Sequence, residues 1–184
     1  HAGDVVDGDK VFRGQEYELK VIGYERQLEY LVENYPDLNL KTKFILGNHD
    51  YSFLKNVGAD IGRGIENKRD DMEYLGIFEV DIELGNTTVR LYHPSGGTAY
   101  AVSYAIQKYI ESLEGGTKPN LLLVGHYHKI EYLFYRNVHA FQTGTTQHQT
   151  RYMRTRRASA MRGGWIIDLY LKEDGEISRI VSEF

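Results

Sequence analysis

The sequence of 184 residues contains no cysteine, which excludes disulfide bonds and any metal site built from thiolates. It also lacks an excess of basic residues, because its formal net charge is −4. Proteins that hold nucleic acid by bulk electrostatics are usually basic, so any contact of this chain with nucleic acid must be local. No apolar run approaches the roughly 20 residues that span a bilayer, and no signal peptide is visible. We expect no membrane partner, and the lack of cysteine fits a cytoplasmic location.

The remaining composition is that of an ordinary globular protein. Apolar residues make up 41% of the chain and charged residues 26%. The length is sufficient for one domain with a hydrophobic core and too short for two comfortable domains. We therefore expect residues 1–184 to form a single domain.

The pattern of apolar residues along the chain predicts strand–helix–strand units mixed with hairpins. It predicts helices over residues 15–35 and 99–113, and strands over 43–46, 77–84, 87–92, 120–124, 131–135, 139–143, 165–171 and 177–181. This order is typical of a layered α/β domain with mixed sheets inside and helices outside.

Polar side chains able to bind metal follow several of the predicted strands. They occur in residues 3–8 (GDVVDG) and 47–50 (GNHD), at His93, and in residues 125–128 (GHYH). Sites in α/β sheets tend to form where strands end, and carboxylate, amide and imidazole groups together suit Mn, Fe or Zn. The glycines allow sharp turns that bring such groups together. These four pieces predict a metal site.

In this order, the pieces resemble the signature of the calcineurin-like metallophosphoesterases: an aspartate–x–histidine, GDxxDxG, GNHD or GNHE, a lone histidine, and GHxH. The resemblance spans residues 3–128. It implies a layered α/β fold of mixed β-sheets, a β-sandwich flanked by helices. It also implies a phosphoesterase with two divalent metal ions, Mn above all, with Fe, Zn or Ni as alternatives.

The resemblance also implies the metal ligands. Asp4 would bridge the two ions, Asn48, His93 and His126 would complete the ligands of the second ion, and His128 would bind the first. Two ions clamp the attacking and leaving oxygens of an in-line displacement, and they make hydroxide available near neutral pH.

A catalytic acid is implied beside these ligands. His49 would lie next to the scissile phosphate and protonate the leaving oxygen. Asp50 would orient His49 by accepting its other ring proton. Asp7 is expected to shape the loop rather than to bind metal.

A basic loop over residues 147–164 is the strongly basic stretch of the chain. Arginine side chains match the geometry of phosphate oxygens, so Arg151 and Arg154 are predicted to bind substrate, with His148 as a further candidate. The alternative is that this loop is a solvated surface.

The aspartate–x–histidine of the family has no counterpart, because only His1, Ala2 and Gly3 precede Asp4. We expect the domain to be truncated at its N-terminus and to lack its first strand; a degenerate homologue that lost full catalysis is the alternative. Loss of a strand exposes apolar surface, which makes a homo-oligomer one expected state.

The most favoured function is hydrolysis of phosphodiesters, with nucleic acid as one candidate substrate. Three alternatives stay open: a phosphomonoesterase, a non-catalytic binding scaffold of the same fold, and a nucleic-acid-binding protein that does not hydrolyse its ligand.

Overall fold

The computed structural model describes residues 1–97 and 99–184, which form two compact units. Unit 1 comprises His1–Val80 and His93–Ser95, and unit 2 comprises Asp81–Tyr92 and Gly96–Phe184. The expectation of a single domain over residues 1–184 stays a prediction. Among the described residues, no helix has the length and apolar character needed to cross a membrane.

Unit 1 contains a two-stranded parallel sheet and three helices. Its elements in chain order are α1 (Tyr24–Asn34), β1 (Thr42–Leu46), α2 (Asn48–Val57), α3 (Ile61–Glu66) and β2 (Met72–Ile77). Phe44, Ile45 and Leu46 of β1 are 0% exposed, as expected for a parallel strand that is covered on both faces. The core of the unit is formed by Leu28, Leu31, Phe44, Leu46, Phe53, Ile61, Ile65 and Met72.

The helix predicted over residues 15–35 is shorter than expected. Residues Gln15–Tyr17 form a 3₁₀ turn, and α1 begins only at Tyr24. Gly23 before it has φ 93°, which is not a helical value, so it interrupts the periodic pattern. Tyr17 is 86% exposed and therefore does not belong to the buried stripe of α1.

Unit 2 is built on a five-stranded mixed sheet with the strand order β3-β4-β5-β7-β6. Its strands are β3 (Glu79–Leu84, which enters unit 2 at Asp81), β4 (Thr87–Tyr92), β5 (Leu121–Val124), β6 (Ile130–Tyr135) and β7 (Val138–Thr143). Strands β4, β5 and β7 run parallel, and β6 pairs antiparallel with β7. Two helices, α4 (Tyr104–Ser112) and α5 (Arg151–Thr155), and an antiparallel hairpin, β8 (Ile166–Leu171) with β9 (Ile177–Glu183), complete the unit.

Alternate residues of the five-stranded sheet face two separate cores. Ile106 and Ile110 of α4 pack with residues of β5 and β7 that include Leu122 and Val138. The other core is formed by Val89, Leu121 and Phe141, with Trp165, Ile167, Leu169 and Ile180 packed against it. The predicted α/β class, with mixed sheets and flanking helices, is confirmed.

Candidate functional site

Three of the predicted metal ligands lie together in unit 1 because each follows a short extended segment. Ala2 forms a parallel bridge with Ile45 of β1, and Asp4 follows it in the next loop. Asn48 is the first residue of α2, two positions beyond the last residue of β1. His93 comes directly after β4, and its backbone N–H donates to the carbonyl of Phe78 at 2.7 Å.

The imidazole ring of His93 joins the other two side chains. Its Nε2 atom lies 3.2 Å from Oδ2 of Asp4 and 3.0 Å from Oδ1 of Asn48. Its Nδ1 atom lies 2.7 Å from the carbonyl oxygen of Ala2. Because a carbonyl only accepts, Nδ1 carries a proton, and a neutral ring then presents a lone pair at Nε2. In the protonated ring Nε2 donates to Asp4, whereas in the neutral ring three acceptor atoms face one another, an arrangement that a cation between them stabilises.

Charge and burial act in opposite directions on this cluster. Burial by itself lowers the pKa of His93, but the hydrogen bond and the charge of Asp4 outweigh it, so the pKa is raised. For Asp4, burial raises the pKa. The hydrogen bond to His93 and the positive charge of the nearby His49 together lower the pKa by more, so the net shift is downward. Asp4 is thus held as a carboxylate.

The donor set fits a divalent metal ion. A carboxylate oxygen, an amide oxygen and an imidazole nitrogen are ligands that borderline and hard divalent ions accept. His93 is 1% exposed, so its ring is fixed in position by the surrounding protein. Asp4, Asn48 and His93 therefore form a candidate metal site.

Gly3 provides the space that this cluster needs. A β-carbon at residue 3 would lie 2.4 Å from Nδ1 of His93, and the residue has φ 86°. Both the contact and the backbone angle exclude a side chain, so the first glycine of the 3–8 motif is required by the position of His93.

His49 lies beside the candidate metal site. Its backbone N–H donates to Oδ1 of Asp4 at 2.9 Å. Its ring Nδ1 atom lies 2.7 Å from the carbonyl oxygen of Asp7 and therefore donates to it. The ring is thus oriented by a main-chain carbonyl.

The hydrogen bond that the ring of His49 was expected to donate to Asp50 is replaced by the one to the carbonyl of Asp7. Asp50 is 0% exposed, and its carboxylate accepts three backbone N–H groups, from Val5 (3.1 Å), Val6 (2.9 Å) and Gly47 (2.8 Å). A carboxylate in the first turn of a helix readily captures unpaired N–H groups at that end, and here it also captures those of the neighbouring loop. Burial raises the pKa of Asp50 to about 7, and the charge of Asp4 acts in the same direction.

His126 and His128 lie in unit 2, in the loop after β5. Both have positive φ angles, 72° and 54°. His126 donates from Nε2 to the carbonyl of Gly96 at 2.7 Å, and the carbonyl of His128 accepts the backbone N–H of Met161 at 2.9 Å. Their assignment as metal ligands stays a prediction.

The predicted substrate-binding residues also lie in unit 2. Arg151 and Arg154 are exposed on α5, and His148 precedes this helix. The Nη1 atom of Arg162 donates to Nε2 of His148 at 2.8 Å, so the ring of His148 is held from within the same loop. Binding of substrate by these residues stays a prediction.

Sequence reasoning missed the main-chain carbonyls that orient the two histidine rings. The carbonyls of Ala2 and Asp7 hold His93 and His49, respectively. A carbonyl is present at every residue, so no residue type signals its role.

No family model matches the sequence, and no curated protein matches it. Solved structures similar to the chain include an archaeal phosphodiesterase, with 13% identity, 84% of this chain and 76% of that chain covered, and a TM-score of 0.45. A conserved Streptococcus pneumoniae protein described as a predicted phosphoesterase has 13% identity, 85% and 89% coverage, and a TM-score of 0.41. Vps29 of Entamoeba histolytica complexed with Zn²⁺ has 15% identity, 90% coverage of both chains, and a TM-score of 0.35. Similarities this distant assign no activity, so the functional argument rests on the residues of the site.

Proposed function

We propose that the protein is a metal-dependent phosphoesterase that hydrolyses phosphodiesters. The observation that carries this proposal is the convergence of Asp4, Asn48 and His93 on one point, with His49 next to them. This combination supplies ligands for a cation and an imidazole that can exchange a proton, and both contribute to cleaving an ester of an anionic phosphate.

The residues of unit 1 would hold the metal through Asp4, Asn48 and His93. We propose two ions, with Mn preferred and Fe, Zn or Ni as alternatives. When bound, divalent ions supply Lewis-acid stabilisation of the phosphate charge and a hydroxide nucleophile near neutral pH. Asp4, whose pKa is lowered, would contribute a negative charge, and the hydrogen bond from Nδ1 of His93 to the Ala2 carbonyl leaves Nε2 as the ring nitrogen that would bind the metal.

His49 is proposed as the general acid. Because Nδ1 donates to the carbonyl of Asp7, the transferable proton of a protonated ring is the one on Nε2. Donation from Nε2 to the leaving oxygen would avoid the accumulation of alkoxide charge. Asp50 then acts as a positioning residue, because it ties Gly47, at the start of α2, to the loop of residues 5–6.

Arg151, Arg154 and His148 are proposed to contact the substrate. Guanidinium groups form paired hydrogen bonds with phosphate oxygens. Both arginines are exposed, so a ligand can reach them.

The test is hydrolysis of bis-p-nitrophenyl phosphate and of p-nitrophenyl phosphate in the presence of Mn²⁺. We expect turnover of the diester and a loss of about 10²–10⁴-fold in kcat for His49→Ala. His139→Gln is the matched control, because His139 contacts Tyr132 in unit 2 and has no role in the proposed site.

Other outcomes would replace the proposal. Faster hydrolysis of the monoester would make the protein a phosphomonoesterase. Absence of turnover with both esters, together with metal binding that His93→Ala abolishes, would make it a binding scaffold.

A further inference from the structure

One continuous part of unit 2 carries positive charge without any acidic residue. Residues 132–167 contain no aspartate or glutamate, although the chain has 26 such residues. Five arginines of this stretch fall within 12 residues: Arg151, Arg154, Arg156, Arg157 and Arg162. All five are exposed, and within the described part of the chain none of their guanidinium groups pairs with a carboxylate. The charge of this stretch is therefore opposite in sign to the net charge of the whole chain, which is −4.

The loop of residues 147–164, which carries these arginines, is closed at its base by backbone hydrogen bonds. Thr145 donates to the carbonyl of Met161 at 3.1 Å and accepts from the N–H of Gly163 at 3.0 Å. Thr145 and Arg162 form a parallel β-bridge. The two ends of the loop are thus held together, so its arginines project from a fixed base.

The middle of the loop is anchored as well. Met153 of α5 is 8% exposed, and its N–H donates to Oγ1 of Thr150 at 3.1 Å, which caps the helix. Arg156 lies over the ring of Tyr152, with 5.6 Å from Cζ to the ring centre. The arginines therefore project from an ordered segment, and binding costs less conformational entropy than it would for a free tail.

The same loop is attached to the loop that carries the histidine pair. Besides the bond from Met161 to the carbonyl of His128, the ammonium group of Lys129 donates to the carbonyl of Ser159 at 3.2 Å. These contacts lie within unit 2. They fix the arginines relative to the segment predicted to provide metal ligands.

We propose that the loop of residues 147–164 binds the phosphodiester backbone of a nucleic acid strand. The proposal concerning the substrate rests on the proposed function: a phosphodiesterase with this surface would act on a nucleic acid strand rather than on a free nucleotide. Five guanidinium groups exceed the number that one phosphate group can engage, whereas a strand offers a series of phosphates. The positive surface is local, which is how a chain of net charge −4 can hold a polyanion.

The residues between the arginines argue against a lipid surface as the partner. Thr155, Ala158, Ser159 and Ala160 are small or polar. The exposed large side chains are those of Tyr152, whose ring lies under Arg156, and Met161, too few to form an apolar face. A segment that inserts into a membrane interface presents several large aliphatic or aromatic side chains on one face. Nucleic acid is therefore the polyanion that this surface fits best.

The experiment measures binding of a fluorescein-labelled single-stranded 20-nucleotide DNA by fluorescence anisotropy. EDTA is present, so hydrolysis does not contribute. We expect Kd to rise steeply with NaCl concentration. The double variant Arg156→Gln/Arg157→Gln should flatten the slope of log K against log [NaCl] by about 1.4, because each lost phosphate contact on a single strand removes about 0.7. Arg13→Gln/Arg26→Gln removes the same charge from exposed positions of unit 1 and should leave the slope unchanged.

The outcomes separate this inference from the proposed activity. Equal slopes for the two double variants would overturn the nucleic-acid surface, whatever the diester assay shows. Equal affinity for a polyglutamate of the same charge, or for vesicles rich in anionic lipid, would also overturn it. Loss of DNA affinity in the loop variant alone would support it, even if bis-p-nitrophenyl phosphate is not hydrolysed and the proposed activity fails.

Discussion

Gly47 faces the carboxylate of Asp4 so closely that a β-carbon at residue 47 would lie 2.2 Å from Oδ1 of Asp4. The same β-carbon would lie 2.5 Å from Cε1 of His93. The backbone of Gly47 is extended, with φ −96° and ψ −170°, so other residues can adopt its conformation. The requirement for glycine is therefore one of space, and it links the backbone at the end of β1 to two ligands of the candidate metal site.

Gly47→Ala is expected to displace Asp4 and His93 and to weaken metal binding. Overpacking of this kind costs about 1–3 kcal/mol. Calorimetric titration with Mn²⁺ should show at least a tenfold weaker affinity, and the Tm of the metal-free protein should fall. Gly115→Ala is the matched control, because a β-carbon at residue 115 has no neighbour within 4 Å. Unchanged Mn²⁺ affinity in Gly47→Ala would contradict the assignment of the site.

The sequence predicted the strands well because their signals were local. Three apolar residues in a row predicted β1, and the polar residues after it included Asn48 and His49. Asp4, Asn48 and His93 are far apart in sequence, so their proximity could be inferred only from the position of such residues at strand ends and from the family resemblance, without distances.

Other features gave no usable signal in the sequence. The periodic pattern over residues 15–35 suggested a continuous helix, because it does not reveal that the backbone of Gly23 adopts a positive φ. The motif suggested that Asp50 holds His49, because side-chain partners are easier to infer than main-chain ones. Both errors concern the conformation and hydrogen bonds of the backbone, which cannot be inferred directly from residue types.

Asp50→Asn tests the observed role of Asp50. The amide has one acceptor oxygen and places an NH₂ group where the carboxylate accepted from a backbone N–H. At least one donor among Val5, Val6 and Gly47 then loses its partner, at a cost of about 1–3 kcal/mol. Urea denaturation in EDTA measures this loss without a contribution from metal. Asp70→Asn, at an exposed position, is the control. If Asp50 only oriented His49, the two variants would be equally stable.

Arg69→Lys tests whether the side chain of Arg69 stabilises the C-terminal end of α1. The guanidinium of Arg69 donates from Nη1 to the carbonyls of Val32 (3.0 Å) and Tyr35 (2.8 Å), and it forms two 2.6 Å bonds to Asp71. Lysine cannot reproduce this planar set of donors. We expect Tm to fall by about 3 °C, as for the loss of one or two hydrogen bonds in a chain of this size.

The matched control for this change is Arg63→Lys. The side chain of Arg63 is 77% exposed, and its Nε lies 3.5 Å from a carboxylate oxygen of Asp60. An exposed pair of this kind contributes little to stability. If the two substitutions lowered Tm equally, the capping role of Arg69 at the end of α1 would be excluded.

The raised pKa of Tyr74 predicts that the protein loses stability at alkaline pH. Its ring packs against Phe44 with 5.6 Å between ring centres, and burial raises the pKa of Tyr74 from 10.0 to about 12, with the charge of Asp60 acting in the same direction. Below pH 10 the phenol is protonated in the folded and the unfolded chain. Between pH 10 and 12 the unfolded chain releases this proton while the folded chain retains it, so the free energy of unfolding falls as pH rises.

The pKa of Tyr74 is measured from the phenolate absorbance of the wild type minus that of Tyr74→Phe. The midpoint of this difference curve should lie near pH 12. Tyr17→Phe, at an 86% exposed position, provides the comparison curve, and coincidence of the two curves would show that Tyr74 is not held in the packed environment described for it.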